Sequence, residues 1–140
     1  MVTRSPVRKS KPMQINLPDV VAEVTAAYNR YNSAIDMGDA TTLNELFRNA
    51  PETLRYGPAE NLYGWQAIST FRSTKWSGAK RRLYETIVTT YGRDFAVAST
   101  LFERPDLNGR MGRQMQTWGR FPEGWRIIAA HVSIIETPKG

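Results

Sequence analysis

The chain has 140 residues, a net charge of +6, a single histidine and no cysteine. That length fits one domain with one core, and the missing cysteines exclude a disulfide framework and a thiolate metal site. One histidine, with no H-x-x-x-H or paired-carboxylate spacing, leaves no zinc motif. No apolar run approaches the roughly 20 residues that cross a bilayer. No h-region of a secretory signal opens the chain, so the cytoplasm is the expected compartment.

The first twelve residues, MVTRSPVRKSKP, carry Arg4, Arg8, Lys9 and Lys11 and no acid. Without them the body holds only +2, so the basic character is mostly a tail. A nucleic-acid arm is one reading of such a tail. A disordered leader is the other, favoured because no aromatic residue offers a base-stacking surface. The expected organisation is a leader over residues 1–12 and one folded domain over residues 13–140, with neither nucleic acid nor membrane as partner.

NLPDVVAEVTAAYNRYNSAIDMGD reads as a long helix. Pro18 suits its first turn, Asp19 and Glu23 lie near the positive end of its dipole, and Gly38 stops it. Val24, Tyr28, Tyr31 and Ile35 share one face. DATTLNELFRNA is a second helix, capped by Asp39 or Thr41, with Leu43, Leu46 and Phe47 as its stripe. ETLRYG is a short strand, GPAE a turn and NLYG another short strand. GWQAISTFRSTK is a third helix with Ile68 and Phe71 inward. From residue 82 the period changes to strands: RLYETIVTTY, FAVASTLFER, RMGRQMQTWGRF and WRIIAAHVSIIE form an antiparallel meander. The fold class is α+β, three helices packed on a strongly curved antiparallel sheet. The first helix is the element long enough to cover that sheet.

Several polar residues stand where a core is expected. In ETLRYG, Leu54 and Tyr56 point one way and Thr53 and Arg55 the other, so Arg55 is either solvated outside or a fixed cation inside. Tyr31 sits mid-stripe on the first helix, and its hydroxyl needs a partner if buried. Gln114, Gln116 and Trp118 alternate onto one face of a strand, which is either a cavity wall or an outer face covered by another subunit. Arg72 ends the third helix, as an anion ligand or as a solvated helix-end cation. His131 shares strand parity with Trp125, Ile127 and Ala129, opposite Ile128, Ala130 and Val132. Both faces of that strand read as apolar and buried, and His131 as a structural or interface residue. An exposed apolar sheet face calls for cover, and a second copy of the chain is the simplest one. A homodimer or higher homo-oligomer is therefore expected.

The element order, closing on GWRIIAAHVS, resembles the SnoaL-like branch of the nuclear transport factor 2 superfamily, in which a curved sheet wraps helices around a conical pocket. INLPDVVAEVTAAYNRY, TLRYG, ENLYG, TTYGRDFAVAST, GRQMQTW and EGWRIIAAHVS together are similar to the AtzH-like family, over about residues 13–136. That resemblance implies cofactor-free chemistry on small, anionic urea-derived acids. One branch of the family is understood as a decarboxylase of 1,3-dicarboxyurea in cyanuric acid breakdown, and another belongs to oxalurate catabolism. It further implies that Tyr31 and Arg55 are the catalytic pair, with Arg55 pointing inward as a bidentate carboxylate anchor and making the Tyr31 proton easier to donate. Arg72, Gln116 and Trp118 are the candidate substrate-binding residues. A proton shuttle built on an inner-wall carboxylate is disfavoured, because the inner positions read as arginine, tyrosine and glutamine.

Overall fold

The structure is a computed structural model that describes residues 12–74, 78 and 80–139. The leader therefore lies almost wholly outside the described residues. The elements run α1 (Pro18–Met37), α2 (Ala40–Leu46), β1 (Leu54–Tyr56), β2 (Asn61–Tyr63), α3 (Trp65–Thr74), β3 (Arg82–Tyr91), β4 (Phe95–Glu103), β5 (Met111–Phe121) and β6 (Gly124–Ile135). Among the described residues no helix is long and apolar enough to cross a membrane.

Local chemistry explains the helix limits. Pro18 opens α1, where its missing N–H costs nothing. Gly38 closes α1 in the left-handed region at φ 70°, its N–H turned to the carbonyls of Ala34 and Ile35. Asp39 caps α2 by accepting from the Thr42 N–H at 3.1 Å and from the Thr42 hydroxyl at 2.6 Å. The stripe of α1 (Val20, Val24, Tyr28, Tyr31 and Ile35) is buried, as are Leu43, Leu46 and Phe47 of the second helical segment and Ile68 of α3.

Among the described residues the sheet has six strands in the order β2-β1-β6-β5-β4-β3. Its strand pairs are antiparallel except β1 with β6, which run parallel. The expected purely antiparallel sheet is thus a mixed one. The chain leaves β1 through the β2 hairpin, α3 and the whole meander before β6 returns alongside it.

Irregularities bend the sheet. The β5–β6 register pairs Thr117 with Ala129 and Trp118 with Ile127, so Ile128 is an extra residue. The bulge reverses strand parity at that point. Trp125 and Ile127 before it and Ala130 after it all belong to the buried core. His131 is exposed and stacks edge-on against Tyr56, 6.1 Å between centroids. The reading of β6 as buried on both faces is therefore corrected. One inward set is displaced by a residue at mid-strand, and the opposite face carries His131 into the open with exposed Met115 on the neighbouring strand.

The concave face is kept shallow by small residues. Ala96, Ala98 and Ala130 are buried there, and a Cβ on Gly112 would overlap the Phe102 ring. Gly112→Ala is expected to lower stability by about 1–3 kcal/mol through overpacking. Urea unfolding measures this, and an unchanged midpoint would show that the ring has room to move.

The α2 cap generates a pH expectation. Hydrogen bonds from the Thr42 hydroxyl and N–H hold the Asp39 carboxyl below its ordinary 3.8. A depressed folded-state value adds stability that is complete above the unfolded value and fades as pH falls through the folded one. The stability advantage of wild type over Asp39→Asn should hold at neutral pH and shrink as pH falls through 3.8 and below. An advantage that stays constant on acidification removes the charge from the explanation.

Candidate functional site

One row of the sheet carries the polar centre. Arg55 of β1 pairs with Ala130 of β6, Ala130 with Gln116 of β5, and Gln116 with Ala98 of β4. At the ordinary strand spacing, Arg55 and Gln116 stand roughly 10 Å apart across the backbone. The intervening residue is an alanine, so their long side chains rise over a floor with little on it.

Arg55 is 6% exposed and faces inward with Thr53, which is also buried. This settles the two readings left open by its strand parity. Its guanidinium lies 5.5 Å from the centroid of the Phe71 ring. Its Nη1 donates to Glu60 Oε1 at 2.5 Å, and its Nε is buried without a hydrogen-bond partner. Glu60 closes the turn between β1 and β2, where the Gly57 N–H donates to the Glu60 carbonyl.

Arg72 of α3 is 2% exposed, so it is not a solvated helix-end cation. Its guanidinium interacts electrostatically with Tyr31, Arg55 and Glu60. Burial pushes the proton affinity of Arg72 down, as does the positive charge of Arg55, while Tyr31 and Glu60 act in the opposite sense. Arg55, Arg72, Tyr31 and Glu60 are therefore one electrostatic cluster. Within it Tyr31 acts on Arg72, whereas Arg55 is engaged by Glu60.

Tyr31 is held by aromatic neighbours. The Tyr28 ring lies parallel to it at 6.4 Å and the Phe47 ring edge-on at 6.3 Å. Burial pushes the Tyr28 phenol well up, so it remains a donor, and it donates to Gln114 Oε1 at 2.8 Å. Gln116 and Trp118 are inner-face residues, fully buried. They bond to each other, Trp118 Nε1 donating to Gln116 Oε1 at 3.0 Å. This leaves the Gln116 Nε2 amide buried with no partner among the described residues. Unused donors of this kind are costly unless an acceptor arrives.

The cluster offers two guanidiniums, an unused amide N–H and a phenol against one carboxylate. That set suits an anion with carbonyl or carboxylate oxygens. No group of three or more metal-ligating side chains occurs among the described residues. Two open concavities lie elsewhere on the molecule. One, of about 680 Å³, is lined by Lys80, Arg81, Arg82 and Tyr84 at the start of β3 and by Arg104 and Arg110 across from it. The other, of about 430 Å³, lies between Ile87, Leu101, Met115 and His131.

Sequence reasoning named Tyr31, Arg55, Arg72, Gln116 and Trp118, and all five are buried on the concave side. It missed Glu60, which enters from a turn and not from a wall strand. The available signal was an acid five residues after an inward arginine, across a turn opened by glycine and proline. The inner face was therefore not free of carboxylates.

The model of the AtzH-like family matches residues 13–138. No curated protein matches the chain. Among solved structures, a Pectobacterium atrosepticum protein of unknown function is 50% identical, covering 87% of this chain and 95% of its own, with a TM-score of 0.84. A Burkholderia xenovorans protein with a cystatin-like fold is 46% identical over 90% of this chain and 99% of its own, with a TM-score of 0.86. A nuclear transport factor 2-like protein of Salmonella enterica is 33% identical over 87% and 94%, with a TM-score of 0.68. With that coverage and the curved sheet around α1, the chain belongs to the AtzH-like family of the nuclear transport factor 2-like superfamily.

Proposed function

We propose that this protein is a cofactor-free decarboxylase of a small N-carboxylated urea, of the type that converts 1,3-dicarboxyurea to allophanate. The observation that carries the reading is the pair of buried guanidiniums, Arg55 and Arg72, beside a buried phenol. Two fixed cations in one small core are expensive to bury unless anionic charge joins them. A dicarboxylate provides that charge.

In this mechanism Arg55 holds one carboxylate through its planar fork of donors. The Gln116 Nε2 donor and the Trp118 face position the urea. The bond between nitrogen and the scissile carboxylate carbon breaks, carbon dioxide leaves, and the electron pair remains on the urea nitrogen. Tyr31 supplies the proton that this nitrogen accepts, and solvent returns one to the phenolate. The charge of Arg72, which Tyr31 feels, stabilises the negative charge that develops as the proton moves. No metal or electron sink enters any of these steps.

A second reading uses the same cluster to hold a ureido acid such as oxalurate without turning it over. The ion pair that already occupies Arg55 favours it, because a binding module needs no more than exchangeable charge. We also propose that a second copy of the chain covers the outer sheet face. Ile87 and Met115 are exposed there beside His131, and Phe95 is exposed further along β4.

The reading is tested by carbon dioxide release from freshly generated 1,3-dicarboxyurea, with the spontaneous rate subtracted. Wild type should accelerate release. Tyr31→Phe and Arg55→Ala should each lose on the order of 100-fold or more, the scale of general-acid and electrostatic contributions. No acceleration by wild type rejects decarboxylation, and calorimetric binding of oxalurate that is lost in Arg55→Ala would then support the binding module. For the oligomer, sedimentation should show a dimer that Met115→Lys dissociates. A wild-type monomer at micromolar concentration removes that proposal.

A further inference from the structure

We infer that the Glu60 carboxylate is an internal stand-in for a ligand carboxylate, and that binding exchanges one for the other at Arg55. The inference rests on the reading of the site as a carboxylate-binding one, and it adds how the site distinguishes a dianion from a monoanion.

Three features point this way. Glu60 takes Nη1 of Arg55 and leaves Nε unused, on the guanidinium that a ligand carboxylate needs. Its two partners differ in rigidity. Arg55 lies within a strand, its side chain 7% exposed. Glu60 rides on a four-residue turn, its side chain 19% exposed. The carboxylate therefore has a route to solvent that the guanidinium lacks. Finally, Glu60 folds back into space that only a glycine leaves open. A Cβ on Gly57 would overlap the Glu60 carboxylate and come within 2.7 Å of Arg55 Nη1. Gly57 does not sit in the left-handed region, so its lack of a side chain serves the docking of Glu60 and not a backbone need.

Charge then sets the selectivity. With Glu60 docked, two guanidiniums share one carboxylate. A monocarboxylate that displaces Glu60 trades one negative charge for another and gains little. A dicarboxylate brings one charge to Arg55 and a second to Arg72, and leaves the cluster neutral. Decarboxylation would convert the favoured ligand into the disfavoured one. The return of Glu60 to Arg55 would then expel the monoanionic product.

The test uses glutarate, a stable dicarboxylate whose span is that of 1,3-dicarboxyurea, and butyrate as its monocarboxylate counterpart, in calorimetric titrations. Wild type should bind glutarate and bind butyrate much more weakly. Glu60→Gln removes the internal competitor. Glu60→Asp keeps both charges but, one methylene shorter, draws the carboxylate back from Arg55. If the undocked state is populated at about a tenth or less, each variant should tighten glutarate roughly tenfold or more, and Glu60→Gln should strengthen butyrate as well. Glutarate affinity that is unchanged or weaker in Glu60→Gln overturns the exchange. So does tightening in Glu60→Gln with none in Glu60→Asp, which would be a simple charge effect. If Glu60→Gln does not fold by circular dichroism, Glu60→Asp alone decides in the same two directions. Failure of the underlying reading looks different: glutarate would then bind neither wild type nor the variants, or bind Arg55→Ala as well as wild type.

Discussion

The structure depends on placing two guanidiniums inside one small core. Arg55 and Arg72 are each more than nine-tenths buried, and like charges held in a low-dielectric interior repel. The surroundings answer this in particular ways. Glu60 engages Arg55, Tyr31 and Glu60 favour the charge on Arg72, and the Phe71 ring gives Arg55 an electron-rich face. Remove those partners and burial of the cations loses its compensation. The folded state would then fall by several kcal/mol, as broken buried pairs generally do.

The fold supplies the room for this arrangement by economising on side-chain volume elsewhere. Ala96, Ala98 and Ala130 lie under the long helix, so the sheet can curve around Arg55, Gln116 and Trp118 without forcing α1 away. The extra residue at Ile128 lets β6 keep large residues inward at one end, Trp125 and Ile127, and a small one inward at Ala130 beside the polar row. A strand of strict alternation could not do both with this sequence. The aromatic stack of Tyr28 and Tyr31 then fixes the phenol from the helix side, with Gln114 anchoring the far end of Tyr28.

Much of this was legible in the sequence. The helix faces followed from periodicity and caps, and the inward pointing of Arg55 was one of two readings that strand parity allowed. Tyr31 was placed by its stripe. Three things were not legible. The parity of β6 failed because a bulge is a property of paired strands, and no local pattern marks Ile128 as the extra residue. Arg72 was left between two readings because helix periodicity alone does not say how deep the last turn lies. Glu60 was missed because no strand or helix period says where a turn side chain points, and its loop-back across five residues to Arg55 is made possible by a missing side chain at Gly57. In each case the deciding information was a partner distant in sequence or in direction.

The parallel pairing of β1 with β6 carries a consequence for the order of assembly. Arg55 and Ala130 are neighbours in the sheet, yet about 75 residues of chain separate them. Contacts of such separation carry a large loop-closure cost and form late when local hairpins are available first. The hairpins of β3 through β6 are such local structures, while β1 has only a three-residue partner in β2. During synthesis, β1 emerges early and must wait for the last strand before its arginine has a floor beneath it. The polar centre is thus completed only when nearly the whole chain is present, and a nascent or truncated polypeptide would lack it.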